Sequence, residues 1–315
     1  MTSPANPRLA DRLAGGLIGL LVGDALGVPY EFNRAERIPP AQLIEYTPPP
    51  DFLRSHASVP PGTWSDDGAQ ALCLLASLLH CDALDLEDFG RRLIDWYEFG
   101  YLAVDGDVFD IGVTTGTALR RLRAGTAAAD AGDRGDRANG NGSLMRVLPL
   151  ALWHRGSDAQ LVADAERQSL VTHGHRRAQV CCALYCLIAR RLLAGADAPW
   201  PQAVATLREL YAHDAAAQEE LEFSIRPDEP LQGNGSGYVV DCLRSSVICL
   251  QQPDYESAVR AAIRLGQDTD TTACVTGGLV GIRDGIGGIP QRWRDGLRGR
   301  ELVQPLLAEL LRRHG

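Results

Sequence analysis

The sequence predicts a single, mostly all-α domain, and three observations carry that reading. Apolar residues recur at helical spacing in run after run, each bounded by capping residues, Gly or Pro. No stretch alternates convincingly with the period of two that a half-buried strand requires. No internal repeat or linker divides the 315 residues, so residues 1–315 read as one domain.

Leu9–Val28 reads as the first helix, with Gly15, Gly16, Gly19, Gly23 and Gly27 along it. Each glycine weakens an isolated helix by about 1 kcal/mol relative to Ala. Close packing is the compensating reason, so this helix is expected at the centre. Pro29 ends it, and Glu31 follows between Tyr30 and Phe32. Glu31 is either a surface acid or a desolvated carboxyl with a raised pKa.

Residues 36–62, punctuated by prolines from Pro39 to Pro61, must be a loop. It leads through Ser65–Asp66–Asp67 to a helix over about Ala69–His80, with Ser65 or Asp66 as the natural cap. Helices are also expected near Leu86–Gly100 and over Ile111–Arg123, the latter opened by Asp110. Residues 124–138 contain no large apolar side chain and read as a flexible surface insertion. A glycine-rich turn, Asn139–Arg146, then feeds the apolar Val147–Trp153. The pair His173 and His175 precedes a helix over Ala178–Leu193. With no zinc-spaced partner, these histidines read as caps or as polar contacts to a ligand. Further helices are expected over Pro201–Ala216, Ser236–Gln251 and Glu301–Arg313, with the polar segment 217–235 as a break.

Composition narrows the function. The net charge of −9 leaves no nucleic-acid footprint. All 31 basic residues are Arg, which excludes a Walker lysine, a Schiff-base lysine and cofactors tethered to lysine. The eight Cys form no CxxC, and seven lie in apolar helical runs, so a reducing, cytoplasmic setting is expected. Arg8 and Arg12 before an apolar run imitate a signal peptide, but Asp11 and Asp24 argue against one. No apolar run reads as membrane-spanning.

Two clusters carry chemistry. Gly266–Gln267–Asp268–Thr269–Asp270–Thr271–Thr272 sets two carboxylates and three hydroxyls in five consecutive positions. Asp, Ser/Thr and backbone oxygens are the ligands hard divalent cations prefer. The alternative is a helix N-terminus, where the same residues cap free amides. Ser65–Asp66–Asp67 repeats the pattern some two hundred residues upstream. Two such clusters point to one shared dinuclear site, because four unneutralised carboxylates would repel one another. The Asn139–Arg146 turn can offer backbone amides to a phosphate, or be a turn with no ligand.

Gly23–Asp24–Ala25–Leu26–Gly27 with Glu31, Trp64–Ser65–Asp66–Asp67, Asn141–Gly142–Ser143–Leu144–Met145–Arg146, Thr172–His173 and Gly266–Gln267–Asp268–Thr269–Asp270–Thr271 occur in the order seen in ADP-ribosylglycohydrolases. The chain resembles that family over about residues 12–298. Phe109–Thr115 most resembles the dinitrogenase-reductase-activating branch, which removes ADP-ribose from arginine. The resemblance implies a compact orthogonal all-α fold and two divalent cations, Mg2+ or Mn2+, in a cleft. The implied ligands are Ser65, Asp66, Asp67, Asp268, Asp270 and Thr271. Glu31 would be the mobile acid near the scissile bond. Asp110 is either the cap of the helix that follows it or a rim carboxylate able to pair with a departing guanidine. Gly140, Asn141, Gly142, Ser143, Met145 and Arg146 would cradle the diphosphate, with His173 beside the ADP-ribose.

The implied partner is an ADP-ribosylated protein or an ADP-ribose-containing small molecule, met by a monomer without nucleic acid or membrane. Other substrates in the same fold are ADP-ribosyl-serine, O-acetyl-ADP-ribose or a toxin-modified target. A non-catalytic ADP-ribose-binding homologue is the remaining alternative, disfavoured by the intact ligand set. Two departures from the pattern are Ser65 for the commoner Thr and Gly68 where a further Thr is frequent.

Overall fold

The computed structural model describes residues 7–314. Among them are fifteen α-helices and no strand, only three isolated β-bridges. The helices are α1 (Leu9–Gly27), α2 (Asp66–Cys81), α3 (Leu86–Phe99), α4 (Val113–Arg123), α5 (Ala128–Ala131), α6 (Leu148–Trp153), α7 (Asp158–Ser169) and α8 (Arg176–Leu193). Then follow α9 (Pro199–Leu210), α10 (Ala215–Glu219), α11 (Val239–Cys249), α12 (Tyr255–Ile263), α13 (Thr269–Asp284), α14 (Gln291–Gly296) and α15 (Arg300–His314).

The centre is an antiparallel pair, α1 against α13. A Cβ added at Gly15 would lie 2.1 Å from Gly281 O, one at Gly19 2.4 Å from Gly277 O, and one at Gly23 2.1 Å from Ala273 O. The glycines are needed because backbone meets backbone, which recovers their helix-propensity cost through close contact. Gly27 ends the row at 2.4 Å from the Cα of Asp270, so the seam places the start of α13 against the end of α1. Arg12 fixes the opposite end through Leu192 O and Ile282 O.

The structure revises several expectations. α1 with its following turn (Leu9–Tyr30) is long and apolar enough to cross a membrane by composition, contrary to the sequence reading. It is instead packed inside the protein, with 94% of its most apolar window buried. Residues 124–138 are tied down: Ala128 and Ala131 are fully buried, small enough to fit beside α4. Gly132 N donates to Leu170 O, and Asp133 exchanges backbone bonds with Thr172 and Gly174. The polar break after α10 contains a π-helical turn over Glu220–Ile225. All eight cysteines are free thiols, and all but Cys81 are buried.

Candidate active site

A cleft of about 630 Å3 opens over the N-termini of α2 and α13. Ser65 caps α2 by accepting from Asp67 N at 3.3 Å. Asp24, from α1, takes the rest of that helix end by accepting from Ser65 N and, at 2.7 Å, from Gly68 N. Gly68 has no room for a side chain, since a Cβ would meet Leu21, Trp64 and Asp24 within 2.9 Å. Asp268 occupies the N-cap position of α13 but makes no side-chain cap bond. The capping alternative would have consumed these carboxylates on helix amides. The structure instead leaves Asp66, Asp67 and Asp270 buried, and close enough to Asp268 and to other carboxylates for their pKa values to be raised.

Their electrostatics favour positive charge among them. Asp67 Oδ2 and both carboxylate oxygens of Asp270 are buried without a hydrogen-bond donor. Asp66, Asp67 and Asp270 are pushed well above the usual carboxylate range, first by burial and then by neighbouring carboxylates. Burial raises Asp24 to about 7, with the Ser65 and Gly68 amides opposing it. Glu31, only 3% exposed, is raised to about 10 by burial and then by Asp110, Asp268 and Asp66. Carboxylate oxygens of Glu31, Asp268 and Asp270 lie within 4.8 Å of one another. Uncompensated buried carboxylates with an all-oxygen donor set fit a hard divalent cation.

Amides orient the acids from outside. Gln70 Nε2 donates to Asp66 Oδ2 at 2.8 Å, and Asn141 Nδ2 to Asp268 Oδ2 at 2.8 Å. Thr271 Oγ1 donates to Asp67 Oδ1 at 3.3 Å, joining the two clusters. Glu31 is brought to them by a backbone clasp: Phe32 N donates to Gln267 O and Gln267 N to Asn33 O, each at 2.6 Å. Phe32 and Gln267 both hold positive φ, at 58° and 61°, the local strain that accumulates at functional sites.

Asp110 does not cap α4. Its φ is 56°, the helix begins three residues later with Gly112 at the N-cap, and Asp110 lines the cleft. Burial raises its carboxyl and His56 opposes that rise. Gly140, Asn141, Gly142, Met145 and His173 form a further part of the cleft wall. Neither Gly140 nor Gly142 has a positive φ. Gly142 is required by space, because a Cβ there would sit 2.7 Å from His173 Cε1. Asn141 N already donates to Gly237 O, whereas among the described residues the Gly142 and Ser143 amides donate to no protein group.

Ser143 and Arg146 lie behind this wall and not on it. Ser143 is fully buried and accepts from Ser169 Oγ at 2.8 Å. Arg146, also 0% exposed, donates to Gln70 Oε1 and Gln168 Oε1 and stands over the Phe89 ring. It thereby supports Gln70, which holds Asp66. His173 is 2% exposed and hydrogen-bonded through Nδ1 to Thr172 Oγ1; burial, then Arg146, lowers it to about 3, so it is neutral. His175 caps α8 by accepting from Arg177 N.

His56 escaped the sequence reading. It lies in the proline-punctuated loop, where no periodicity marks it, and its Nε2 is 2.7 Å from Glu31 Oε2.

A family profile described as ADP-ribosylglycohydrolase matches residues 5–315. An ADP-ribosylarginine hydrolase Tri1 of Serratia proteamaculans is 30% identical over 95% of this chain and 79% of its own length. The ADP-ribosyl-[dinitrogen reductase] glycohydrolase of Rhodospirillum rubrum is 28% identical, over 91% of this chain and 90% of that one. A solved structure titled ADP-ribosylglycohydrolase-related protein complex superimposes with a TM-score of 0.77 at 31% identity, covering 97% of this chain and 98% of the other.

Proposed function

The chain belongs to the ADP-ribosylglycohydrolase family and is a hydrolase of ADP-ribosylated targets, and on that premise we propose that it cleaves the ribosyl C1''–N bond of ADP-ribosyl-arginine. The observation that carries the arginine assignment is the placement of Asp110. Its left-handed backbone turns it out of the helix-capping position and into the cleft wall, beside Glu31 and His56. A carboxylate there can pair with a planar guanidine and favour its departure in protonated form, whereas an alcohol leaving group gains nothing comparable.

Two divalent cations, Mg2+ or Mn2+, would be held by Asp66, Asp67, Asp268 and Asp270 with the hydroxyls of Ser65 and Thr271. Bound there, they would orient the ribose hydroxyls and acidify a coordinated water. The chain's own groups perform the rest. The wall formed by Gly140–Gly142, Met145 and His173 receives the ADP-ribose, and the free amide of Gly142 is suited to a phosphate oxygen. His173, kept neutral, can meet a polar group of the ligand without adding charge. With bound cations offsetting the neighbouring carboxylates that add to burial in raising it, Glu31 would be ionised and take a proton from the attacking water as the C1''–O bond forms and the C1''–N bond breaks. The guanidine nitrogen retains the electron pair, takes up the proton that Glu31 removed from the water, and leaves as guanidinium facing Asp110.

The test is release of free ADP-ribose from arginine-, serine- and acetyl-linked substrates, each with Mg2+, Mn2+ or EDTA. Arginine-linked substrate should be cleaved fastest, and EDTA should abolish turnover. Asp110→Asn should keep melting temperature and metal binding while losing most arginine-linked hydrolysis. Wild-type rates in that variant, or a preference of the wild type for serine linkages, would overturn the assignment.

A further inference from the structure

We propose that His56 is a positioning residue for this hydrolysis: it holds the Glu31 carboxyl in one orientation through the 2.7 Å contact between its Nε2 and Glu31 Oε2. The inference rests on the reading of Glu31 as the proton-transfer group. It adds a residue from a part of the chain that no site motif covers.

The loop that carries His56 is organised around residues 30 and 31. Tyr30 Oη donates to Glu45 O at 2.8 Å and accepts from Glu45 N at 3.1 Å. The Phe52 and Tyr30 rings pack with centroids 5.1 Å apart. Ser55 Oγ donates to Glu31 O at 2.5 Å, and the next residue supplies the imidazole. Val59 N and Arg54 Nη2 both donate to His56 O, which fixes the backbone from which the ring projects. The ring itself lies near Phe32 on one side and Phe109 on another, with centroids 5.8 and 5.2 Å away. His56 is therefore held by its backbone and by two aromatic neighbours.

Glu31 needs such a partner. Its carboxyl is buried, with oxygens within 4.8 Å of carboxylate oxygens of Asp110 and of Asp268 and Asp270. Side-chain rotation away from them would relieve that repulsion and remove the carboxyl from the reacting bond. A ring nitrogen at hydrogen-bond distance opposes the rotation whichever partner carries the shared proton. A general base must sit within hydrogen-bond reach of the proton it moves, and a misplacement near 1 Å can cost about 100-fold in rate.

The experiment is a double-mutant cycle between His56→Ala and Glu31→Gln, with His56→Gln as the conservative variant that retains a donor. Turnover is measured on the arginine-, serine- and acetyl-linked substrates, ADP-ribose binding by calorimetry, and folding by melting temperature. His56→Ala should lower kcat by about 10- to 100-fold, with KM, ADP-ribose affinity and melting temperature nearly unchanged. His56→Gln should recover much of that loss, and in the Glu31→Gln background His56→Ala should cost nothing further. Equal losses in both backgrounds would overturn the proposal, as would a KM effect without a kcat effect, or a lowered melting temperature with full turnover. If His56→Ala does not fold, the cycle is run with His56→Phe, which also removes the ring nitrogen, and read in the same way, with His56→Gln still the conservative variant. Should the wild type cleave a serine or acetyl linkage instead of arginine, the linkage assignment fails while the His56 cycle is still read on that substrate. No cleavage of any of the three overturns both.

Discussion

Asn141 donates from Nδ2 to Asp268 Oδ2 at 2.8 Å, joining the glycine-rich turn to the start of α13 across 127 residues of chain. The wall of the cleft and its acidic floor are thus one hydrogen-bonded unit, although the sequence separates them.

Asn141→Ala should accordingly weaken divalent-cation binding, because Asp268 loses the amide that orients it. Loss of such an outer partner typically costs about 10- to 100-fold in metal affinity. Calorimetric titration with Mn2+ is the check, and wild-type affinity in the variant would show that Asp268 needs no help from the turn.

Asp270→Asn removes one charge from a cluster in which both Asp270 oxygens lack a donor. The EDTA-treated variant should melt at the same temperature as the wild type or higher, since repulsion is relieved. Mn2+ should raise the wild-type melting temperature, by the equivalent of about 2.7 kcal/mol at a hundredfold excess over Kd, and the variant's hardly at all. A full Mn2+-induced rise in Asp270→Asn would remove Asp270 from the ligand set.

Gly142→Ala should weaken ADP-ribose binding while leaving Mn2+ binding nearly intact. The added Cβ, 2.7 Å from His173 Cε1, displaces the imidazole from the cleft wall, whereas the Asn141–Asp268 bond lies one residue away. Parallel calorimetry with ADP-ribose and with Mn2+ separates the two effects. If both affinities fall together, the turn supports the floor as a whole.

His173 supplies a pH signature. Its folded value, about 3, lies below its ordinary 6.5, so between the two the unfolded chain binds a proton that the folded chain does not. Stability from the neutral ring is therefore fully present above about pH 6.5 and is lost as pH falls toward about 3. His173→Gln should flatten the acid limb of a denaturation-against-pH profile, by up to about 1.4 kcal/mol per pH unit for one proton. Identical slopes would mean that the ring takes up its proton without leaving the fold.

The helices were legible where local chemistry decides them. Leu86–Phe99 is bounded by an Asp85 cap and a left-handed Gly100, and the structure ends it at Phe99, one residue short of the expected boundary. Ser157 and Gln160 form a capping box that marks the start of α7, a signal carried by the sequence itself. The two acidic clusters were legible because carboxylates paired within three positions have few uses in a core. What depends on distant chain was not. For Asp110 the sequence left a helix cap and a cleft carboxylate both open, and only its left-handed backbone separates the two. Arg146 looked like a cleft residue because nothing local reveals that Gln70, Gln168 and Phe89 converge to bury it. His56 had no periodic context at all.

The seam between α1 and α13 has a consequence for how the site tolerates change. Where side chains separate two helices, a rotamer flip or a lost methyl lets them settle by fractions of an ångström. Here carbonyl oxygens lie where Cβ atoms would be, so there is no side-chain slack for the pair to take up. The distance from Asp24 and Glu31 at the end of α1 to Asp268 and Asp270 at the start of α13 is gauged by peptide groups, which do not vary with core composition. Peripheral helices can drift in sequence without retuning the acidic floor, whereas a single methyl at Gly23 or Gly27 would act on it like a shim under a bearing.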